Sequence, residues 1–160
     1  MISLLRRLFG RAEPSLSEAR PQDAGPIAAL HGLSFRRGWS ETEVEQLLVD
    51  RQVLAHQAIS GGELAGFILS RMAAGEAEIL SVAVAESWRG RGLGRRLVDL
   101  HLRRLAGLGV RAVFLEVEEG NLAALQLYDR AGFRAVGQRP GYYPQPQGAA
   151  AAARVLRRDL

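Results

Sequence analysis

The segment that most limits how this chain can fold runs from Leu80 to Arg95. An apolar stretch, Leu80-Ser81-Val82-Ala83-Val84, leads into Trp88-Arg89-Gly90-Arg91-Gly92-Leu93-Gly94-Arg95. A helix is predicted over Arg91 to Leu108. Leu93, Leu97, Leu100, Leu105 and Leu108 fall near one face, and Arg95, Arg96, Asp99, Arg103 and Arg104 populate the rest. Gly107 and Gly109 stop it. The order is therefore strand, glycine-rich turn, long helix. A helix start leaves backbone amides unpaired and carries about half a positive charge. Glycines let that backbone approach a phosphate, and arginines add charge, so a diphosphate suits this turn. A dinucleotide fingerprint fits poorly: the glycines are at 90, 92 and 94, and the helix is unusually long. Two other readings stay open, a glycine turn that merely begins a helix and a basic helix on nucleic acid. The second lacks aromatic residues among the arginines.

Composition removes much other chemistry. The 160 residues suit one compact domain. There is no cysteine, which excludes a disulfide, a thiolate nucleophile, an iron–sulfur cluster and cysteine-bound zinc. All 21 basic residues are arginine, so there is no Schiff-base lysine and no complete Walker A motif. His31, His56 and His101 are far apart and at no metal-ligand spacing, so no metal is expected. The net charge of +4 allows an anionic partner or a solvated arginine face. No apolar run is long enough to span a bilayer. The basic, amphipathic start lacks the features of a signal peptide. The expectation is a flexible basic tail over residues 1–14, one domain over 15–160, and a cytoplasmic protein that is a monomer or weak dimer.

The remaining elements follow from local signals. Ser15 to Ala19 reads as a strand. Pro21, Asp23 and Pro26 open a helix carrying Ile27, Leu30 and Leu33. Ser40 and Glu43 form a capping box ahead of Val44, Leu47 and Leu48. Gln52 to Ser60, Gly61-Gly62 and Glu63 to Arg71 read as a β-hairpin. Glu78 to Val84 and Arg111 to Val117 read as strands, and Asn121 to Arg130 as a short helix with an Asn cap. Phe133 to Gly137 and Arg154 to Leu160 read as the last strands, with a loop of Pro, Gly, Tyr and Ala between them. The alternation suggests a mixed α/β sheet.

Two residues downstream of the turn invite chemistry. In Phe114-Leu115-Glu116-Val117-Glu118, Glu116 shares a strand face with Ala112 and Phe114. A carboxylate buried in an apolar strand is costly unless paired or protonated, and desolvation makes a carboxylate a better base near neutral pH. An ion pair with one of the many arginines is the plainer reading. Tyr128 shares a helix face with Leu125; its ring suits a core, yet its hydroxyl can also reach a cleft as a proton donor.

Arg89-x-x-Gly92-x-Gly94 resembles the R/Q-x-x-G-x-G/A motif of the GNAT N-acetyltransferases, and Asn121-x-x-Ala124-x-x-Leu127-Tyr128-x-x-x-Gly132-Phe133 resembles the family's second hallmark. Four segments carry the likeness: Ile79 to Arg95, Leu115 to Val117, Asn121 to Phe133, and Arg139-Pro140-Gly141-Tyr142-Tyr143-Pro144. Gly38-Trp39-Ser40 adds to it. Within the family they are similar to enzymes that acetylate the N-terminal alanine of a ribosomal protein. The resemblance implies the GNAT acyl-CoA N-acyltransferase fold, an α/β (α+β) architecture whose mixed, mostly antiparallel central sheet is flanked by helices. It implies acetyl-CoA as co-substrate and a protein N-terminus as acceptor, without nucleic acid. It implies Glu116 as general base and Tyr128 as general acid. Val82, Ala83 and Val84 would hold the pantetheine arm through their backbone. Arg89, Gly90, Arg91, Gly92, Leu93, Gly94 and Arg95 would hold the diphosphate, with Asn121 beside the cofactor. Trp39, Tyr142 and Tyr143 would flank the peptide. Glu118 departs from the family pattern and, with Glu119, would attract a basic peptide. A small-molecule amine remains the alternative acceptor, and a non-catalytic binding module the alternative class.

Overall fold

The computed structural model describes the backbone of residues 11–144 and 150–160 and the side chains of residues 11–139 and 152–160. The described strands are β1 Ser15–Glu18, β2 Val53–Ser60, β3 Glu63–Ala73, β4 Glu76–Val84, β5 Ala112–Glu118, β6 Arg134–Pro144 and β7 Ala150–Asp159. They form one sheet in the order β1-β2-β3-β4-β5-β7-β6. Only β4 and β5 run parallel, as expected of two strands joined by a helical crossover. The helices are α1 Ala24–Ser34, α2 Glu41–Val49, α3 Leu93–Gly107 and α4 Leu122–Arg130.

Side chains alternate between two apolar clusters on opposite sheet faces. Ile68, Val113, Leu115 and Val117 pack under α3 and α4, whereas Phe67, Leu69 and Ala83 pack under α1 and α2. Local signals operate as read. Ser40 Oγ accepts from the Glu43 N–H at 3.1 Å while the Glu43 carboxylate accepts from the Ser40 N–H at 2.8 Å, which caps α2. Gly61 and Gly62 take φ of 59° and 79°, the positive pair that a tight hairpin turn requires.

Three expectations need correction. The inner line of α3 runs Leu93, Leu97, His101, Leu105, with Val98 and Leu102 beside it. Leu100 is only half-buried, and Leu108 is exposed because it lies past the last helical turn. Leu33 is 86% exposed, since α1 turns Ile27, Leu30 and His31 inward instead. The Ala-rich loop is in part strand: β6 extends to Pro144 and β7 begins at Ala150. Ala153 pairs with Glu118 on one side and Arg139 on the other and is fully buried. Alanine carries little intrinsic strand preference, so only its two neighbours make this segment a strand.

One irregularity positions the site. The β4–β5 ladder contains three pairs, Glu76 with Ala112, Ala77 with Val113 and Glu78 with Phe114. Beyond them Ile79–Val84 and Leu115–Glu118 run on without pairing to each other. The β3–β4 register slips where Ser70 faces Ile79 and Leu69 faces Ser81, leaving Leu80 as the extra residue of a bulge. A bulge bends its strand. Here it falls where the ladder to β5 ends, so the sheet opens in its middle.

Candidate active site

The glycine turn joins the open end of β4 to α3. Gly90 and Gly92 have φ of 73° and 79°, a region that penalises any residue with a Cβ. Gly92 is the N-cap of α3 and has no side chain to offer the helix. The Arg96 N–H bonds the Gly92 carbonyl at 3.1 Å, so the amides of Leu93, Gly94 and Arg95 form the open first turn. A phosphate can accept from them. The arginines around this turn are already held in place. Arg89 Nε donates to the Val84 carbonyl at 3.0 Å, tying the turn to the end of β4. Arg91 lies over the buried Trp88 ring, 5.1 Å from its centroid. Arg95 pairs with Asp99 at 2.9 Å. They lend field to the turn while holding its shape.

The second hallmark segment packs against the same turn. A Cβ at Gly94 would stand 3.5 Å from Leu127 and 3.7 Å from Val84, so the start of α3, the middle of α4 and the end of β4 converge there. Asn121 caps α4, its Oδ1 accepting from the Ala124 N–H at 3.2 Å. Tyr128 is buried in the cluster under α3 and α4, its ring edge-on to Phe133 with centroids 5.5 Å apart. In the part of β4 beyond the ladder, the Ser81 hydroxyl is buried with no hydrogen-bond partner among the described residues. Buried hydroxyls are normally satisfied, so this one is an exception. Sequence reasoning passed over Ser81, because a serine in a strand carries no signal of its own.

Glu116 points to the opposite sheet face. Val113, Leu115 and Val117 face α3 and α4, which sends Phe114 and Glu116 outward. No helix covers β5, β6 and β7 on that side among the described residues. A pocket of about 380 Å³ opens there, lined by Arg71, Glu76, Glu78, Phe114, Glu116 and Arg139 among others. The Glu116 side chain is 17% exposed, and its carboxylate meets the Arg139 guanidinium at 3.1 Å. The plainer reading of Glu116 is thus realised, and the paired carboxylate also faces the pocket. Phe114 is covered by Arg157 at 5.1 Å. Glu119 is engaged by Arg154 at 3.2 Å, so it is not a simple lure for a basic peptide. Glu118 shares the outward face with Glu116.

The residues expected to flank a peptide are not all gathered here. Trp39 stacks on His31 with centroids 4.0 Å apart, and its N–H donates to His31 Nδ1 at 3.1 Å. It packs beside the α1–α2 cluster and does not line the Glu116 pocket. Burial lowers the pKa of His31, partly opposed by Glu43, which suits a neutral acceptor nitrogen. Tyr142 and Tyr143 lie on β6, Tyr143 opposite Ala151, and their side chains lie outside the described residues. The histidines are not all apart: His56 Nδ1 lies 2.8 Å from His101 Nδ1, and His101 Nε2 lies 2.7 Å from Ser70 Oγ. Burial lowers both pKa values, and neighbouring His56 adds to the effect on His101, which falls to about 3. No group of three metal-ligating side chains occurs among the described residues.

The profile of the Acetyltransferase (GNAT) family matches residues 24–133, which span the turn, Glu116 and Tyr128. The chain belongs to the GNAT acetyltransferases. It is 33% identical over 110 residues to the [Ribosomal protein bS18]-alanine N-acetyltransferase of Escherichia coli strain K12, covering 69% of this chain and 74% of that protein. The crystal structure of the ribosomal-protein-S18-alanine N-acetyltransferase from Escherichia coli superposes with a TM-score of 0.84 at 26% identity, covering 91% of this chain and 93% of the other. The fold also matches Arabidopsis thaliana NAA60 in complex with acetyl-CoA, with a TM-score of 0.82 at 20% identity over 92% of this chain and 98% of that one. The GNAT fold expectation is borne out, and the chain is an acetyl-CoA-dependent N-acetyltransferase. No helix among the described residues is long and apolar enough to cross a membrane.

Proposed function

We propose that this enzyme transfers acetyl from acetyl-CoA to the N-terminal α-amine of a protein, with a ribosomal protein beginning in alanine as the acceptor. The carrying observation is the opened β4–β5 pair, with the glycine turn at the end of β4 and Glu116 on the unpaired part of β5. In this reading the amides from Gly90 to Arg95 hold the diphosphate, and Arg89 and Arg91 brace the turn. Val82, Ala83 and Val84 hold the pantetheine arm along an unpaired strand edge, much as an added strand would. The Val84 carbonyl keeps one lone pair for this after bonding Arg89. Asn121 stands beside the cofactor.

An α-ammonium loses its proton near pH 7.7–8 in water. Glu116 takes that proton, directly or through one water, and the amine attacks the thioester carbonyl. An amide of the Val82–Val84 edge donates to the developing oxyanion. The carbon–sulfur bond breaks, and Tyr128 supplies the proton to the departing thiolate. With no cysteine in the chain, no cysteinyl acyl-enzyme forms. Transfer is direct, and positioning contributes much of the rate. Tyr142 and Tyr143 border the acceptor path, whereas Trp39, stacked on His31, stands outside the Glu116 pocket. A pocket on an uncovered sheet face suits a peptide better than a closed small-amine site would. A ribosomal acceptor goes with a cytoplasmic enzyme.

The test offers acetyl-CoA with peptides of varied first residue and reads the products by mass. Transfer to alanine-starting peptides is expected. No transfer to any Ala-, Ser- or Thr-starting peptide removes the reading.

A further inference from the structure

The Arg139–Glu116 pair is built across an intervening strand. Glu116 lies on β5 and pairs with Val155 on β7; Arg139 lies on β6 and pairs with Ala153 on β7. The two side chains therefore meet diagonally over β7. That crossing is open because the β7 positions beneath it are Ala153 and Val155 and the β6 position beside Val155 is Gly137. Arg139 pairs with Ala153 just before a register shift, beyond which β6 pairs with β7 again from Tyr143, so its backbone is held by the ladder.

Both oxygens of the carboxylate address one nitrogen: Arg139 Nη1 stands 3.1 Å from Oε1 and 3.4 Å from Oε2. A carboxylate has about four acceptor sites, so among the described residues the Nη1 contact leaves others open toward the pocket. The exposures differ, 17% for Glu116 against 58% for Arg139. The anion is enclosed, and the cation holding it reaches in from solvent. The other charged groups of the pocket, Arg71, Glu76 and Glu78, lie on β3 and β4; Arg71 stands 3.9 Å from Asp50.

We propose that Arg139 is a positioning residue for acetyl transfer, fixing the Glu116 carboxylate in one orientation so that its open acceptor sites meet the incoming ammonium. This deepens the reading of Glu116 as base and rests on it. Misplacement of a reacting group by an ångström costs about 100-fold, which sets the scale.

The experiment measures kcat and KM with an alanine-starting octapeptide for the wild type, Arg139→Gln, Arg139→Lys, Arg139→Ala, Glu116→Gln and the Glu116→Gln, Arg139→Gln double variant, with thermal unfolding of each as the folding control. Arg139→Gln is expected to lower kcat by about 10- to 100-fold with little change in the KM of acetyl-CoA. Arg139→Lys restores part of that loss, and guanidinium ion added to Arg139→Ala restores part of it as well. In the Glu116→Gln background, Arg139→Gln adds nothing, because the group it orients is gone. Wild-type kcat in Arg139→Gln, or an equal loss in both backgrounds, overturns the proposal and leaves the base reading intact. Wild-type turnover in Glu116→Gln overturns the base reading and the proposal with it.

Discussion

Acid should weaken this protein through one buried ring. His101 on α3 is fully buried between that helix and the hairpin of β2 and β3, bonded to Ser70 and facing His56. Burial first, and the neighbouring His56 second, push its pKa from 6.5 to about 3. The unfolded chain takes up a proton near 6.5, whereas the folded one refuses it until about 3. The stability involved is therefore complete above 6.5 and drains away as the pH falls toward 3. Each pH unit inside that window is worth about 1.4 kcal/mol, so lowering the pH from 7 to 5 costs about 2 kcal/mol through His101 alone. His31 and His56 are lowered as well and add loss of the same sign. Carboxylates also respond to acid, so the contrast with a variant isolates the ring. Urea unfolding of the wild type and His101→Gln at pH 7, 6 and 5 gives the slopes. The variant starts less stable at pH 7 by about 1–3 kcal/mol, because Ser70 and His56 lose a partner. Its further loss on acidification should be smaller than the wild type's by about 2 kcal/mol. Equal losses between pH 7 and 5 would refute the assignment of the acid sensitivity to this ring.

The site and its scaffold give further outcomes. Glu116→Gln keeps the shape of the side chain and removes the proposed base, so kcat should fall by about 100-fold or more in a coenzyme A release assay, with the fold unchanged by circular dichroism. Gly92→Ala meets open space, so its cost is conformational: about 1–2 kcal/mol in chemical denaturation, together with a raised KM for acetyl-CoA. Ser40→Ala removes one arm of the α2 capping box, about 1 kcal/mol in the same denaturation experiment, with kcat unaffected.

What the sequence discloses here is what neighbours along the chain decide. The Ser40–Glu43 box, the Gly61-Gly62 turn, the glycine turn before α3 and the Asn121 cap depend on residues a few positions apart, and all four stand where they are read. The residues escaping that reading depend on partners far along the chain. Ala150 to Ala153 look like a loop until β6 pairs along them and β5 reaches Ala153. His56 and His101 are 45 positions apart and meet only because α3 lies across the hairpin. Glu116 is legible as a residue out of keeping with its apolar strand, but nothing local singles Arg139 out of 21 arginines as its partner. Trp39 is conspicuous as an aromatic beside a cap, yet the stacking on His31 that holds it is tertiary.

The opening between β4 and β5 also has a mechanical meaning. Four strands on one side and three on the other are stitched together by only three residue pairs. The seam is thus the shortest ladder in the sheet, with α3 and its glycine turn lying next to it. A ligand that runs along the seam becomes a staple between the two half-sheets, and the free energy of gripping it is added to the cohesion of the whole domain. For a substrate bound along that line, loading and structural reinforcement are a single event.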